Sequence, residues 1–155
     1  MKLVLYQPDI PQNAGTLLRL GACLGIAVEV IEPCGFVWDD RRLRRAGMDY
    51  LAGVDLTRHS SWDAYAEARR TSHERLVLLT TRAPRPYTDF TFAPNDALLL
   101  GQESAGVPEA VHAEADASLR IPLRSGQRSL NVAVAGAMVL GEALRQTAQF
   151  PREEK

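Results

Sequence analysis

Ala97-Leu98-Leu99-Leu100-Gly101-Gln102-Glu103-Ser104-Ala105-Gly106 runs from four consecutive apolar residues straight into a loop bracketed by glycines. An unbroken apolar run of this length reads as a strand covered on both faces, as in a parallel sheet. Gly101 leaves room for a ligand to approach the backbone where the strand ends. The loop resembles a phosphate loop only loosely: it lacks GK[ST], and its spacing is not GxGxxG. Glu103 reads first as a carboxylate anchoring the loop to neighbouring amides, with a functional acid as the alternative.

Two other segments share this layout. Toward the N-terminus, the strand 3–6 leads through Gln7-Pro8 to Asn13-Ala14-Gly15-Thr16-Leu17-Leu18-Arg19, which opens a helix. Toward the C-terminus, Ile121-Pro122-Leu123 ends a short strand, and a polar loop leads to Ser129-Leu130-Asn131 and an Ala/Val-rich helix. Loops at the carboxyl ends of parallel strands are where open α/β sheets bind ligands. The plain reading of Asn13 and of Ser129 is as helix N-caps. Arg19, set among Leu17, Leu18 and Leu20, reads as a polar head that either snorkels from an apolar face or points into a site.

The remaining pattern alternates strands with helices. Strands are expected at 3–6, 27–31, 76–79, 97–100 and 119–121, and helices at 13–24, 62–70, 107–114 and 130–149, with another beginning near residue 39 or 40. That alternation implies an α/β fold, a parallel sheet with helices on both faces. Residues 82–94, with Pro84, Pro86 and Pro94, read as an extended surface loop. The expected organisation is one domain over 1–155, with 151–155 a frayed tail. Ala133, Ala135, Gly136 and Ala137 make the last helix small and apolar, suited to burial against the sheet or a second subunit.

Length and charge narrow the class. The chain has 155 residues, enough for one core. Eighteen basic residues nearly balance nineteen acidic ones, so no global field points to a polyanion. Sixteen of the eighteen are arginine, which suits planar phosphate contacts but also follows from genome composition. Trp38-Asp39-Asp40-Arg41-Arg42-Leu43-Arg44-Arg45-Ala46-Gly47-Met48-Asp49-Tyr50 packs four of them together. That run is either a solvated helix face or a phosphate-tracking patch with Trp38 and Tyr50 as base platforms. Cys23 and Cys34 have no metal spacing, and Cys23 is expected as a buried free thiol. His59, His73 and His112 are expected at the surface. Without a leader or a long apolar run, the expectation is a cytoplasmic protein with no membrane association.

Taken together, the segments resemble the SPOUT class of RNA methyltransferases, in its SpoU-like 2′-O-ribose branch. Residues 5–15 (Leu5-Tyr6-Gln7-Pro8 through Asn13-Ala14-Gly15), Ile31-Glu32-Pro33-Cys34-Gly35-Phe36, the run 38–50 and Leu79-Thr80-Thr81 carry the resemblance, which is closest to small bacterial members acting on the tRNA wobble nucleotide. The resemblance implies a C-terminal trefoil knot holding S-adenosylmethionine, with S-adenosylhomocysteine as product and no metal. It implies cofactor contacts from Leu79, Gly101, Ile121, Leu123, Ser129 and Leu130, and a catalytic set of Arg19, Asn13, Glu103 and Asn131. The implied partners are the tRNA anticodon stem-loop, met by Arg41, Arg42, Arg44, Arg45 and Arg128, and a second copy in a homodimer. The implied reaction is 2′-O-methylation of a wobble cytidine or uridine, in leucine tRNAs. Ribosomal RNA, another tRNA position and a knotted RNA-binding protein without turnover are the rivals. Ala133 departs from the family, where many members carry Ser. Without the resemblance, the chain would read as a flavodoxin-like nucleotide-binding domain.

Overall fold

The computed structural model describes residues 1–39, 41 and 52–152. Among the described residues, seven strands form one sheet, every paired neighbour parallel. They are β1 (Lys2–Tyr6), β2 (Ala27–Ile31), β3 (Leu56–His59), β4 (Arg75–Leu79), β5 (Arg85–Pro86), β6 (Asp96–Leu100) and β7 (Ala117–Arg120), in the spatial order β3-β2-β1-β6-β4-β7-β5. Among the described residues, helices α1 (Pro11–Leu24), α2 (Trp62–Arg69), α3 (Glu109–Glu114) and α4 (Val132–Thr147) accompany the sheet.

Alternate residues of the central strands feed two cores. Leu3, Leu5, Val28, Val30, Val77, Leu98, Leu100 and Leu119 pack with Leu17 and Leu18 of α1 and with Val139, Leu140 and Leu144 of α4. Val4, Tyr6, Ile31, Leu76, Leu78 and Leu99 face the other way, toward Tyr65 of α2 and Val111 of α3. Burial on both faces is why these strands read as apolar runs, each fully buried Leu or Val contributing roughly 1.5–3 kcal/mol. Gly136 brings α4 onto the sheet: a Cβ there would stand 2.9 Å from both Leu100 Cδ1 and Leu17 Cδ2.

Several expectations need correction. Ile10, not Asn13, is the N-cap of α1; Pro11 begins the helix, which leaves the Asn13 side chain for other partners. Asn131, not Ser129, caps α4, its Oδ1 accepting from the Ala133 and Val134 amides. The strand β3 was not anticipated, because Leu56-Thr57-Arg58-His59 is a half-polar edge. Residues 82–94 are tied down rather than merely superficial: Ala83, Phe90 and Phe92 are buried, and Arg85 and Pro86 pair with β7. The strand expected at 119–121 lies at Ala117–Arg120, and the helix expected from 107 begins at Glu109, after Pro108. Cys23 is exposed, because it shares the outer face of α1 with Gln12, Thr16 and Arg19. His59 is largely covered, bonded to Glu29 at 2.7 Å and edge-on to Tyr65. Of the arginine run, Arg41 is described and exposed, while Arg42, Arg44, Arg45 and Tyr50 lie outside the described residues.

Candidate active site

The carboxyl ends of β4, β6 and β7, with Ile10 and Asn13 at the start of α1, enclose a cleft of about 600 Å³, within the range of small-molecule sites. Leu79, Leu100 and Leu119 form its floor at the strand ends, and the loops after β4, β6 and β7 form its walls. Every residue implied for the cofactor lines it: Leu79, Gly101, Ile121, Leu123, Ser129 and Leu130. So do Asn13, Glu103, Asn131 and Arg128.

Three of these polar side chains form one directed chain of hydrogen bonds. Asn131 Nδ2 donates to Asn13 Oδ1 at 2.9 Å, and Asn13 Nδ2 donates to Glu103 Oε1 at 3.2 Å. Asn131 Oδ1 accepts from the Ala133 amide at 2.8 Å and the Val134 amide at 3.3 Å. A carboxylate only accepts and a helix amide only donates, so the two ends fix how both asparagine amides face. The chain thereby couples the starts of α1 and α4 to the Gly101–Gly106 loop, three elements far apart in sequence. Glu103 also accepts from the Asp9 amide at 2.9 Å, through Oε2. Both oxygens of Glu103 are therefore engaged, one by the Asp9 amide and one by the Asn13 side chain.

The loop closes on itself. Gln102 and Gly106 exchange two backbone hydrogen bonds of 2.9 Å, Gly106 turning at φ +67°. A Cβ on Gly101 would stand 2.7 Å from the Gly106 carbonyl carbon, so only glycine permits this closure. Asp9 Oδ2 accepts from the Ser104 amide at 3.2 Å and from the Ser104 hydroxyl.

Arg19 does not line this cleft. It lies on the exposed stripe of α1 opposite the buried Leu17 and Leu18, so it does not emerge from the apolar face as expected. Arg128 stands at the mouth, and Arg124 is exposed in the same loop; neither meets a carboxylate among the described residues. Trp38 is half-buried, stacked on Phe36 with ring centroids 6.0 Å apart, and the Arg58 guanidinium lies 4.9 Å over its ring. That packing leaves less of the ring available as a base platform than its sequence position suggested. No cluster of metal-ligating side chains occurs among the described residues.

Sequence reasoning passed over Asp9, Ile10, Gln102 and Thr81 as site residues. Thr81 and Gln102 carried a usable signal, since both follow the apolar runs that end at the cleft. Asp9 carried none, because its role depends on a loop 95 residues away.

Comparison with known proteins agrees with this geometry. The model of the SpoU rRNA Methylase family matches residues 1–141. A tRNA (cytidine(34)-2'-O)-methyltransferase from Beijerinckia indica is 66% identical over 97% of this chain and 94% of its own. A solved structure described as giving insight into the 2-OH methylation of C/U34 on tRNA superposes with a TM-score of 0.86, at 43% identity over 94% of each chain. The SpoU methyltransferase AviRb of Streptomyces viridochromogenes, solved with the cofactor AdoMet, superposes with a TM-score of 0.81, at 28% identity over 94% of this chain and 60% of that one.

Proposed function

The chain belongs to the SpoU rRNA methylase family, and on that premise we propose that it methylates the ribose 2′-hydroxyl of the wobble nucleotide, cytidine or uridine, in leucine tRNAs. It is a methyltransferase, and the proposed methyl donor is S-adenosylmethionine. The observation that carries the reading is the cleft, where apolar side chains, the Gly101 backbone and the Asn13–Glu103–Asn131 chain converge. Its size and mainly aliphatic walls suit an adenosine with a short charged tail, and they support a contact set of Leu79, Gly101, Ile121, Leu123, Ser129 and Leu130.

The C-terminal trefoil knot is part of the proposal. The path of the chain supports it: β7 lies beyond β4, and the chain then returns past the Leu79–Thr81 loop to lay α4 across β6 and α1. Threaded paths of this kind are rare, so the family kinship weighs more than the path alone. The whole chain is read as a single domain acting in the cytoplasm. Among the described residues, no helix is long and apolar enough to cross a membrane.

S-adenosylmethionine, when bound, supplies a methyl group already activated by its sulfonium. The protein's share is alignment and deprotonation of the ribose hydroxyl. An arginine is not deprotonated in proteins, so Arg19 serves as an orienter of the ribose and adjacent phosphate rather than as base. The hydroxyl proton passes to that phosphate or to water. Asn13, Glu103 and Asn131 hold the cleft loops in register.

A homodimer completes this arrangement. Val134 and Met138 leave an apolar strip on α4 that is 49% and 40% exposed, and α4 packs against α1, whose exposed face carries Arg19. Pairing two such faces would cover the strip and carry Arg19 toward RNA held at the partner's cleft. Arg128, with the run from Arg41 to Arg45, then meets the anticodon stem-loop.

The test is transfer of labelled methyl from S-adenosylmethionine to unmodified tRNA, with the product mapped by mass spectrometry and Arg19→Ala as control. A 2′-O-methyl at the wobble nucleotide, lost in the variant, is the expected result. Methylation elsewhere, or of ribosomal RNA alone, overturns the substrate, and measurable cofactor binding without transfer overturns the activity.

A further inference from the structure

We infer that Gln102, oriented by Gln7, reads the base whose ribose is methylated, and that its amide accepts an amino-bearing pyrimidine more readily than a keto one. The inference rests on the wobble 2′-O-methylation proposed above.

The strand order reverses between β1 and β6: from β1 the chain continues outward to β2 and β3, while β6 opens the other half of the sheet. Crevices at such switch points are where open α/β sheets take their ligands. Gln7 follows β1 directly, and Gln102 follows β6 one residue on, lining the cleft beside Glu103. Both backbones are fixed. The Gln7 amide donates to the Ile31 carbonyl at 2.9 Å, and Gln102 is held by its two bonds with Gly106. Gln7 sits at φ +42°, a conformation a side-chain-bearing residue rarely adopts, and such outliers gather at functional sites.

The side chains are held far less firmly. Gln102 Nε2 donates to Gln7 Oε1 at 3.4 Å, and Gln7 Nε2 donates to the Glu32 carbonyl at 3.4 Å. Both bonds are at the long limit and exchange readily. The Glu32 carbonyl only accepts, so the Gln7 nitrogen must face it and the Gln7 oxygen must face Gln102. Gln102 is left with an Oε1 that has no partner among the described residues, and with one unused N–H.

That pair of groups matches cytosine, whose N4 amino group donates beside the accepting N3. Uracil presents the reverse, an accepting O4 beside a donating N3–H. Reading uracil therefore requires Gln102 to turn over and give up its bond to Gln7. The penalty is one long neutral hydrogen bond, enough for a preference and too little for exclusion. Adenine shows the same amino pattern as cytosine, so the amide separates amino from keto and does not by itself read ring size.

The experiment measures kcat/KM for two anticodon stem-loops that differ only in C34 or U34. The wild-type protein is expected to favour C34 by roughly three- to tenfold, the worth of one neutral hydrogen bond. Gln102→Glu accepts from cytosine N4–H and uracil N3–H alike and opposes the acceptor beside each, so the C34:U34 ratio should fall toward one. Gln7→Met removes the group that sets the resting orientation, so the ratio should fall toward one. If Gln102→Glu is inactive on both RNAs, the Gln7→Met ratio decides. A ratio unmoved in the active variants, or a wild-type preference for U34, overturns the role of Gln102 while the methylation stands. Wild-type protein that methylates neither stem-loop overturns the proposed function itself.

Discussion

Reversing the direction of the Asn131–Asn13–Glu103 chain requires changes at both of its ends. In Asn131→Asp, one carboxylate oxygen still caps α4, but the other faces Asn13 Oδ1, where the wild-type chain has a donor 2.9 Å away. Turning Asn13 over only moves the conflict, because its oxygen then faces Glu103. Glu103→Gln fails in mirror image. Its oxygen must stay with the Asp9 amide, so its nitrogen faces the Asn13 nitrogen. The double variant satisfies every group. The introduced amide at position 103 donates to Asn13, Asn13 donates to the introduced carboxylate at position 131, and that carboxylate caps the helix.

Asn13 is only 9% exposed, so water cannot fully relieve a mismatch there. Each single change should cost about 1–2 kcal/mol, a lost hydrogen bond with its donor or acceptor left facing its like. At about 2–4 °C per kcal/mol for a chain of this size, each lowers Tm by a few degrees. The double variant should return to within about 1 kcal/mol of wild type, helped by a carboxylate at the positive end of α4. Thermal and urea unfolding of the four proteins form a double-mutant cycle. Additive losses, with the double variant the least stable of the four, would refute the directed chain.

Two other expectations follow from the same structure. Met138→Asp places a charge in the exposed apolar strip of α4, and analytical ultracentrifugation should show the proposed homodimer in the wild type and a shift to monomer in the variant without loss of helix content; an unchanged dimer would place the interface elsewhere, and a monomeric wild type would refute the homodimer. The Cys34 thiol is pushed up to about 11 by burial, with Glu32 adding to the effect, so in a Cys23→Ser variant it should resist iodoacetamide at pH 8 and react only as pH nears that value. Ready labelling at pH 8 would show Cys34 to be less enclosed than its surroundings indicate.

The central strands were legible because burial on both faces leaves no choice of residue: Leu98-Leu99-Leu100 and Leu76-Val77-Leu78 can sit nowhere else. The edge strand β3 was not, since an edge needs only Leu56 against the core and leaves Arg58 to solvent-side partners. The cleft residues were legible as loop positions after strands, and the resemblance gathered them into one site. The exposed setting of Arg19 could have been read from its spacing with Gln12, Thr16 and Cys23, which places all four on one helical face.

Local sequence thus determined the buried strands and the helices, because periodicity and apolar runs are properties of neighbours in the chain, whereas the edge strands β3 and β5 waited on their partners. Tertiary structure alone decided the caps and the hydrogen-bond directions. Asn13, Ser129 and Asn131 are all competent to cap a helix, and the sequence offers no reason to prefer one. Asn131 holds the cap of α4 because its other end meets Asn13, 118 residues away, and Asn13 is free to do so because Pro11 starts its helix from Ile10. Such choices depend on partners that only the folded sheet brings within about 3 Å of each other.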